Sequence, residues 1–194
     1  RFVWIRGFAD MAARLHGLSG FYDGAFWQAR RNEANAMILE HHHVHLLRPL
    51  TPVTALTAGA TLEDRASEPA GALPAHTGLV TVDFYHAEST ALPGVVARFE
   101  RRVLPSLREE GHQVLGHLVA ELSPNDYPRL PVIQDASLLA VLSSYRDRSH
   151  CAEMRREWDA GGPVVAGSLR PLLTRDLATL YLHPTARSLI RHRG

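Results

Sequence analysis

Residues 78–86 of this 194-residue chain read GLVTVDFYH, and the clean alternation of their side chains predicts a β-strand. Residues 95–110 follow with apolar side chains at helical spacing, which predicts a helix with one buried face. Four further elements complete the pattern: strands over 114–122, 138–145 and 179–182, and a helical stretch over 151–173 that breaks at Gly161. The resulting order, βαββαβ, is that of a ferredoxin-like unit, so we expect residues 78–185 to form a complete unit of this α+β type.

Residues 1–50 have the features of the second half of that unit. Residues 2–8 (FVWIRGF) predict a strand, Asp10 predicts a helix N-cap, and residues 37–48 look extended. A constant shift of 137 residues aligns Phe8 with Tyr145, Asp10 with Asp147, Phe21 with Trp158 and Gly24 with Gly161. We therefore expect this segment to be the C-terminal part of a first ferredoxin-like unit that lacks its opening βαβ segment.

Two stretches of different composition flank the complete unit. Residues 51–77 are rich in alanine and threonine and contain no aromatic residue, which predicts a linker between the two units. Residues 186–194 contain arginines and a histidine beyond the last predicted strand, which predicts a basic tail.

The composition excludes several classes of chemistry. All 21 residues counted as lysine plus arginine are arginines, which excludes Schiff-base catalysis, a pyridoxal-phosphate anchor and a phosphate-loop lysine. Cys151 is the single cysteine, so a disulfide framework and a thiolate metal cluster are excluded, and we assign this residue no role beyond packing. We predict no cofactor.

Charge and hydropathy limit the classes of partner that we expect. The formal net charge is +1, and the arginines of residues 98–108 are balanced by Glu100, Glu109 and Glu110, so we expect no nucleic-acid partner. No apolar run reaches the ~18 residues that a membrane helix needs, so we expect no membrane partner. A cytoplasmic, reducing compartment is the expected location.

Four stretches of the chain resemble one protein family. They are FVWIRGF (2–8), FYDGAFWQARRNEANAMI (21–38), LLRP (46–49) and SPNDYPRLPV (123–132). In this order they resemble a bacterial branch of the NIPSNAP family. The resemblance implies two ferredoxin-like repeats of the dimeric α/β-barrel type, self-association, a further strand–helix–strand segment ahead of Arg1, and no established reaction. The histidine-rich run at residues 41–45 departs from the pattern that the resemblance implies.

Alternation along the predicted strands suggests a ligand pocket. One face of a ferredoxin-like sheet is expected to be apolar and covered by helices, whereas the other faces a partner sheet. If the polar and aromatic sets face inward together, six side chains line one cavity: Trp4, Arg6, Asp83, Tyr85, His117 and Glu121. An aromatic wall with a few ionisable groups is typical of a small-molecule site, and a histidine–carboxylate pair there is suited to general-base catalysis. The alternative is a structural layer of ion pairs and hydrogen bonds, or a solvated face.

Two further motifs have both a functional and a structural interpretation. On a strand, His41, His43 and His45 share one face and are candidate metal ligands, but Glu40 points to the other face, so a half-exposed edge strand is the favoured interpretation. The loop SPNDYPRLP (123–131) is either a pocket rim or subunit contact, or a rigid connection whose Asn and Asp cap backbone groups. We favour the rigid connection.

Two classes of function remain open from the sequence. The first is a protein that dimerises and binds a small molecule or a protein partner, because no nucleophile–base set or dense metal cluster is visible. The second is an enzyme similar to the cofactor-independent monooxygenases or haem-handling proteins of the same barrel fold, using the barrel interior. We expect the first; the catalytic residues of the second are unknown.

Overall fold

The computed structural model describes residues 3–38, 43–58, 78–159 and 166–192, and the chain divides into two compact units. The first unit contains the described residues up to Leu46 together with Glu121–Asp135. The second contains Leu47–Ala120 and the described residues from Ala136 onward. The SPNDYPRLP loop therefore belongs with the N-terminal residues.

Two helices form most of the first unit. α1 (Met11–Tyr22) begins at Asp10, whose carboxylate accepts a hydrogen bond from a first-turn N–H at 2.7 Å, as predicted for its N-cap. α2 (Ala25–Ala36) follows a tight turn at Gly24, where a Cβ would lie 2.7 Å from the carbonyl oxygen of Gly20. Only glycine fits so close an approach of backbone to backbone.

The strands predicted for the first 50 residues differ from the observed ones. Residues 3–8 form no strand, so the strand predicted over 2–8 is wrong: Trp4 packs on the Arg6 guanidinium, and Val3, Ile5 and Phe8 are exposed. Of the extended stretch predicted over 37–48, residues 39–42 lie outside the described residues, and Leu47 begins a short strand of the second unit. A first ferredoxin-like repeat stays a prediction.

Five strands form one antiparallel sheet in the second unit. They are β1 (Leu47–Pro49), β2 (Leu79–His86), β3 (Gln113–Ala120), β4 (Leu138–Tyr145) and β5 (Ala178–Leu182). Their order across the sheet is β1-β3-β4-β2-β5, and all neighbours are antiparallel. With β2 counted as the first strand, the last four lie in the order 4-1-3-2 from β5 inward, which is the ferredoxin-like order. The predicted α+β fold is confirmed, and β1 adds a fifth strand.

The helices of the second unit connect the strands as the βαββαβ order requires. They are α3 (Leu92–Arg98), α4 (Leu104–Glu109), α5 (Arg148–Asp159) and α6 (Ala166–Leu169). A π-helical turn, Phe99–Val103, joins α3 to α4 and interrupts the uniform helix predicted over 95–110. Pro105 explains the interruption, because it has no N–H to donate to the carbonyl four residues back. None of the helices described in either unit is long and apolar enough to cross a membrane.

The two faces of the sheet have different neighbours. The helices cover the face that carries Tyr85, Val119 and Val141, which contact Phe99 and Val103 in the buried core. The opposite face carries a smaller apolar cluster: Val80, Val82, Leu115 and Leu142. Because alternate residues of β2 point to opposite faces, Asp83 and Thr81 lie on the helix-covered side with Tyr85. The expectation that the helix-covered face is the apolar one is therefore wrong for β2.

Both flanks of the complete unit pack against this second face. Residues 51–58, which the composition assigned to a linker, include a 3₁₀ turn (Pro52–Thr54), and the Thr57 N–H donates to the Leu115 carbonyl at 2.9 Å. Leu56 and Ile190 pack on the apolar cluster. Residues 59–77, the rest of the predicted linker, lie outside the described residues.

The predicted basic tail is folded in its described part, residues 186–192. Ala186 is fully buried. The Arg191 guanidinium donates to the carbonyl oxygens of Ala186 and Ser188, each at 2.9 Å. Arg191 thus closes a compact turn against the second unit.

Candidate functional site

Asp83 forms a buried ion pair with Arg155 of α5. Both guanidinium Nη atoms donate to its two carboxylate oxygens, at 3.0 and 2.9 Å, and the side chains of Asp83 and Arg155 are only 8% and 11% exposed. The Thr179 hydroxyl donates to Asp83 and accepts from Arg155. Burial alone would lower the pKa of Arg155, but the hydrogen bonds and charge of Asp83 raise it above its ordinary value. The Arg155 guanidinium stays charged, and the geometry of the pair is that of a structural anchor between α5 and the sheet.

Tyr85 lies in the helix-covered core, two residues from Asp83 on the same face. Together these two predicted site residues line an internal cavity of about 10 Å³, whose other walls include Tyr145 and Arg155. That volume is at the limit for one water molecule. The cavity is thus far too small for an organic ligand.

His112 and Tyr145 form a neutral pair beside the same cavity. The His112 Nδ1 atom lies 3.3 Å from the Tyr145 hydroxyl oxygen, and both side chains are buried. Burial lowers the pKa of His112 and raises the pKa of Tyr145 to about 12. Neither residue was predicted as a site residue from the sequence, since the two lie 33 residues apart along the chain.

His117 belongs to a histidine–carboxylate pair, but its partner is a residue that the sequence did not indicate. Its Nε2 atom lies 2.9 Å from a carboxylate oxygen of Glu100, in the π-helical turn. The His117 ring is 3% exposed and meets the Phe99 ring edge-to-face at 5.3 Å. Neither His117 nor Glu100 lines the internal cavity beside Asp83. A histidine–carboxylate pair of this kind is suited to general-base catalysis. The small cavity beside Asp83 does not provide space for a substrate next to it.

Trp4 and Arg6 meet at the surface of the first unit. The Arg6 guanidinium lies 3.6 Å from the centre of the Trp4 ring and donates to the Tyr22 hydroxyl at 3.1 Å. Phe21 completes the cluster, with its ring edge-to-face against Trp4 at 5.9 Å. Trp4 remains 57% exposed, so it forms part of an aromatic surface patch of the first unit.

Glu121 and the proline-rich loop hold one another through backbone contacts. The Glu121 carboxylate accepts a hydrogen bond from the Ser123 N–H at 2.8 Å. Asn125 accepts from the Tyr127 N–H at 3.1 Å and donates to the Leu130 carbonyl at 3.0 Å. Asn125 therefore caps backbone groups within the loop, as the favoured interpretation predicted, whereas Asp126 pairs with the Arg14 side chain.

The same loop also packs on α1 within the first unit. Asp126 pairs with the buried Arg14, and the Tyr127 ring stacks on the Tyr22 ring at 5.8 Å. Three of the four family-like stretches therefore come together in this unit, and LLRP supplies β1 of the other unit.

The histidine run has no metal-binding geometry among the described residues. His41 lies outside them, His43 is exposed, and His45 forms an isolated backbone bridge with Ile133. Burial lowers the pKa of His45. Within the described ranges, no three histidine, cysteine or acidic side chains are placed to share a metal ion.

The sequence did not predict an open groove of about 1070 Å³ that the structure shows in the second unit. It lies on the helical run between β2 and β3, residues 92–109. Arg98, Arg101 and Arg102 line it, and the interspersed glutamates had suggested that these arginines were neutralised. The glutamates have other partners, as shown by the Glu100–His117 pair and by the Ser106 hydroxyl, which donates to Glu110 at 3.0 Å. The spacing of three arginines within five residues was the available signal.

The six predicted pocket residues fall into separate environments. Asp83 and Tyr85 share the small internal cavity, and Trp4 and Arg6 share the aromatic patch. His117 pairs with Glu100 and Glu121 caps the loop, so these two have local structural partners. A single cavity lined by all six stays a prediction.

Several solved structures are similar to part of this chain. No protein-family model matches the sequence, and no curated protein sequence matches it. An uncharacterised NIPSNAP domain protein from Burkholderia xenovorans is 17% identical, with a TM-score of 0.41 over 56% of this chain and 95% of its own. A NIPSNAP family protein of unknown function from Agrobacterium tumefaciens is 13% identical, with a TM-score of 0.46 over 58% and 92%. The chain resembles NIPSNAP proteins.

A second Agrobacterium tumefaciens NIPSNAP family protein is 17% identical, with a TM-score of 0.41 over 58% of this chain and 90% of its own. This is the family that the four sequence stretches also resemble. All three identities are below 20% and all three TM-scores are below 0.5, so nothing about this chain is argued from these likenesses. The fold assignment of the second unit rests on its own strand order.

Proposed function

We propose that this protein is a binding protein that acts as a self-associated assembly, in which the β5 strands of two copies pair edge to edge. The observation that carries the proposal is the exposed outer edge of β5. Among the described residues β5 pairs only with β2, and Leu180 and Tyr181 remain 42% and 50% exposed. A strand edge with unpaired N–H and C=O groups and apolar side chains is a template for another strand.

The contrast between the two edges of the sheet supports this choice. The opposite edge strand, β1, has three residues and ends in Pro49, which has no N–H to offer a further strand. β5 has five residues, Ala178–Leu182, and contains no proline or charged side chain. Short strands, prolines and charged side chains usually protect an edge strand from pairing with another chain. Of these features, β5 has only a modest length.

Two-fold pairing of β5 with itself is chemically complementary. An antiparallel pair centred on Leu180 places Leu180 opposite its own copy and Thr179 opposite the partner's Tyr181. A pair of an aromatic and a β-branched residue, such as tyrosine and threonine, is favourable across antiparallel strands, and two facing leucines bury apolar surface. The same patch then serves both copies, as a two-fold interface requires.

Edge pairing has more support than the face-to-face barrel implied by the family resemblance. A barrel of that kind needs a free sheet face, whereas Leu56 and Ile190 pack on the apolar cluster of this face. Gly116 in the same face lies under the backbone of Thr54 and Ala55, whose carbonyl oxygens are 2.9 Å from where its Cβ would be. The β5 edge has no such cover from the described residues.

An enzyme that uses the interior of the second unit has less support. The Asp83 carboxylate is engaged by Arg155 and Thr179, and the cavity beside it has a volume of only about 10 Å³. A haem or an organic substrate needs several hundred Å³, roughly 300 Å³ at the least. The monooxygenase-like alternative therefore lacks a place for its reactants in the described core.

Analytical ultracentrifugation tests the proposed assembly. We expect the wild-type chain to sediment as a dimer at about 100 µM, a concentration well above the Kd of a typical specific interface. Leu180→Lys should give a monomer, because two lysines would face each other at the centre of the pair. Val53→Lys is the matched control: Val53 is an apolar residue of the same unit, 88% exposed and away from β5, and its variant should remain dimeric. A monomeric wild type, or a dimer that persists in Leu180→Lys, would refute the proposal.

A further inference from the structure

The helical run between β2 and β3 forms one wall of an open groove of about 1070 Å³. Its lining includes Gly94 and Val95 of this run together with Leu172, from the 3₁₀ turn after α6. Nothing lies within 4 Å of the position that a Gly94 Cβ would take, so the space above the helix is open. A groove of this size accommodates a small organic molecule.

Three arginines give this groove its chemistry. Arg98, Arg101 and Arg102 all line it and all are exposed. None of the three forms an ion pair with a described residue, and the one hydrogen bond among their guanidinium groups is from Arg101 Nε to the Ala97 carbonyl at 3.1 Å. Three guanidinium groups therefore present free donors and positive charge to one space.

The nearby carboxylates have partners other than these arginines. Glu100 pairs with His117, and Glu110 accepts a hydrogen bond from the Ser106 hydroxyl. Glu109 is the one acidic residue among the groove-lining residues of the described structure. With three arginines and one glutamate, the lining has a net charge of 3 − 1 = +2. Thr90 is also among the lining residues.

The helical run that carries the three arginines contains an unusual backbone conformation. The turn that carries Arg101 and Arg102 is π-helical, and Phe99 and Val103 at its ends are fully buried. Pro105 follows in the next turn and imposes the widening. π-helical turns inside α-helices occur frequently at functional sites, because they alter the direction of the side chains that they carry.

We propose that this groove binds a small molecule that carries phosphate groups. An oxyanion that carries several negative charges complements the positive lining, and planar guanidinium groups donate paired hydrogen bonds to phosphate oxygens. The inference is independent of the proposed self-association, since Arg98, Arg101 and Arg102 lie on α3 and its π-helical turn, whereas that assembly is formed by β5.

Isothermal titration calorimetry with inorganic pyrophosphate tests the inference. We expect binding by the wild-type chain at low ionic strength and a loss of affinity of at least about tenfold in Arg101→Gln/Arg102→Gln, since hydrogen bonds to charged groups contribute strongly. The affinity should also fall as sodium chloride is added. Glu109→Gln should bind pyrophosphate more tightly, because it removes the negative charge from the lining.

The matched control is Arg108→Gln, which removes an exposed arginine of the same helical run that does not line the groove. Its pyrophosphate affinity should equal that of the wild type. Circular dichroism of each variant checks that the fold is unchanged, as expected for exposed positions. No heat of binding by the wild type up to about 10 mM pyrophosphate, or equal loss in Arg108→Gln and the double variant, would overturn the inference.

Discussion

Replacing Arg155 by methionine removes the cation of the buried pair while keeping an unbranched apolar stem in its place. Asp83 is then left at 8% side-chain exposure, with the Thr179 hydroxyl as its remaining described donor. The expected consequence is a large loss of stability, because an unpaired charge stays in a site that excludes water.

The size of the loss follows from the geometry. Arg155 donates two charge-assisted hydrogen bonds, at 3.0 and 2.9 Å. At about 1.5–3 kcal/mol for each bond, their removal costs about 3–6 kcal/mol, which agrees with about 3–5 kcal/mol for breaking buried pairs. Both partners are nearly enclosed, so screening by solvent reduces this figure little. With a urea m-value of about 2 kcal/mol/M, the unfolding midpoint should fall by about 2 M.

Urea denaturation followed by circular dichroism measures this shift. The double variant Asp83→Leu/Arg155→Met should recover most of the loss, because neither charge is then buried alone. Arg146→Met is the matched control, since Arg146 is 71% exposed in its pair with Asp147 and should leave the midpoint unchanged. A midpoint for Arg155→Met within error of the wild type, or a double variant less stable than the single one, would refute this account of the pair.

Two further predictions concern other buried contacts. Burial lowers the pKa of His112 below its ordinary value of 6.5, so the unfolded chain binds more protons than the folded one as the pH falls below about 6.5. Stability should therefore decrease from pH 7.5 towards pH 5, and His112→Gln should flatten that part of the profile in thermal unfolding experiments; an unchanged slope would contradict the assignment. Gly116→Ala should destabilise the chain by about 1–3 kcal/mol in urea, because its Cβ would lie 2.9 Å from the carbonyl oxygens of Thr54 and Ala55. An unaffected midpoint would show that the segment over β3 is not held there.

The second unit could be predicted from the sequence because its strands and helices have strong, regular patterns. The strand predicted over 138–145 is the observed β4, and β2, β3 and β5 differ by one or two residues at their ends. Alternation shows that a strand has two different faces, but it does not show which face the helices cover. An aspartate such as Asp83 would be expected in solvent or in a pocket, and not under a helix. Its partner Arg155 is 72 residues away, and the available hint was an arginine four residues after the buried Cys151 on one helix face.

The first unit was harder to predict because its stability depends on contacts between distant segments. Residues 2–8 have the composition of a strand, yet Arg6 packs on Trp4 and donates to Tyr22. Residues 123–131 read as a connection between two strands of one unit, whereas their aspartate and tyrosine pack on α1. Composition indicates the local preference of a segment for strand or loop, and contacts between distant segments can override that preference.

The central claim, that two copies pair through β5, is tested most directly by cross-linking at its centre. In the two-fold pair, Leu180 faces its own copy with Cα atoms about 4.5–5.5 Å apart, within the range that a disulfide spans. We predict that Leu180→Cys forms a covalent dimer on mild oxidation, whereas Val53→Cys does not, and that the buried native Cys151 stays reduced. No covalent dimer of Leu180→Cys beyond the amount seen for Val53→Cys would contradict the claim.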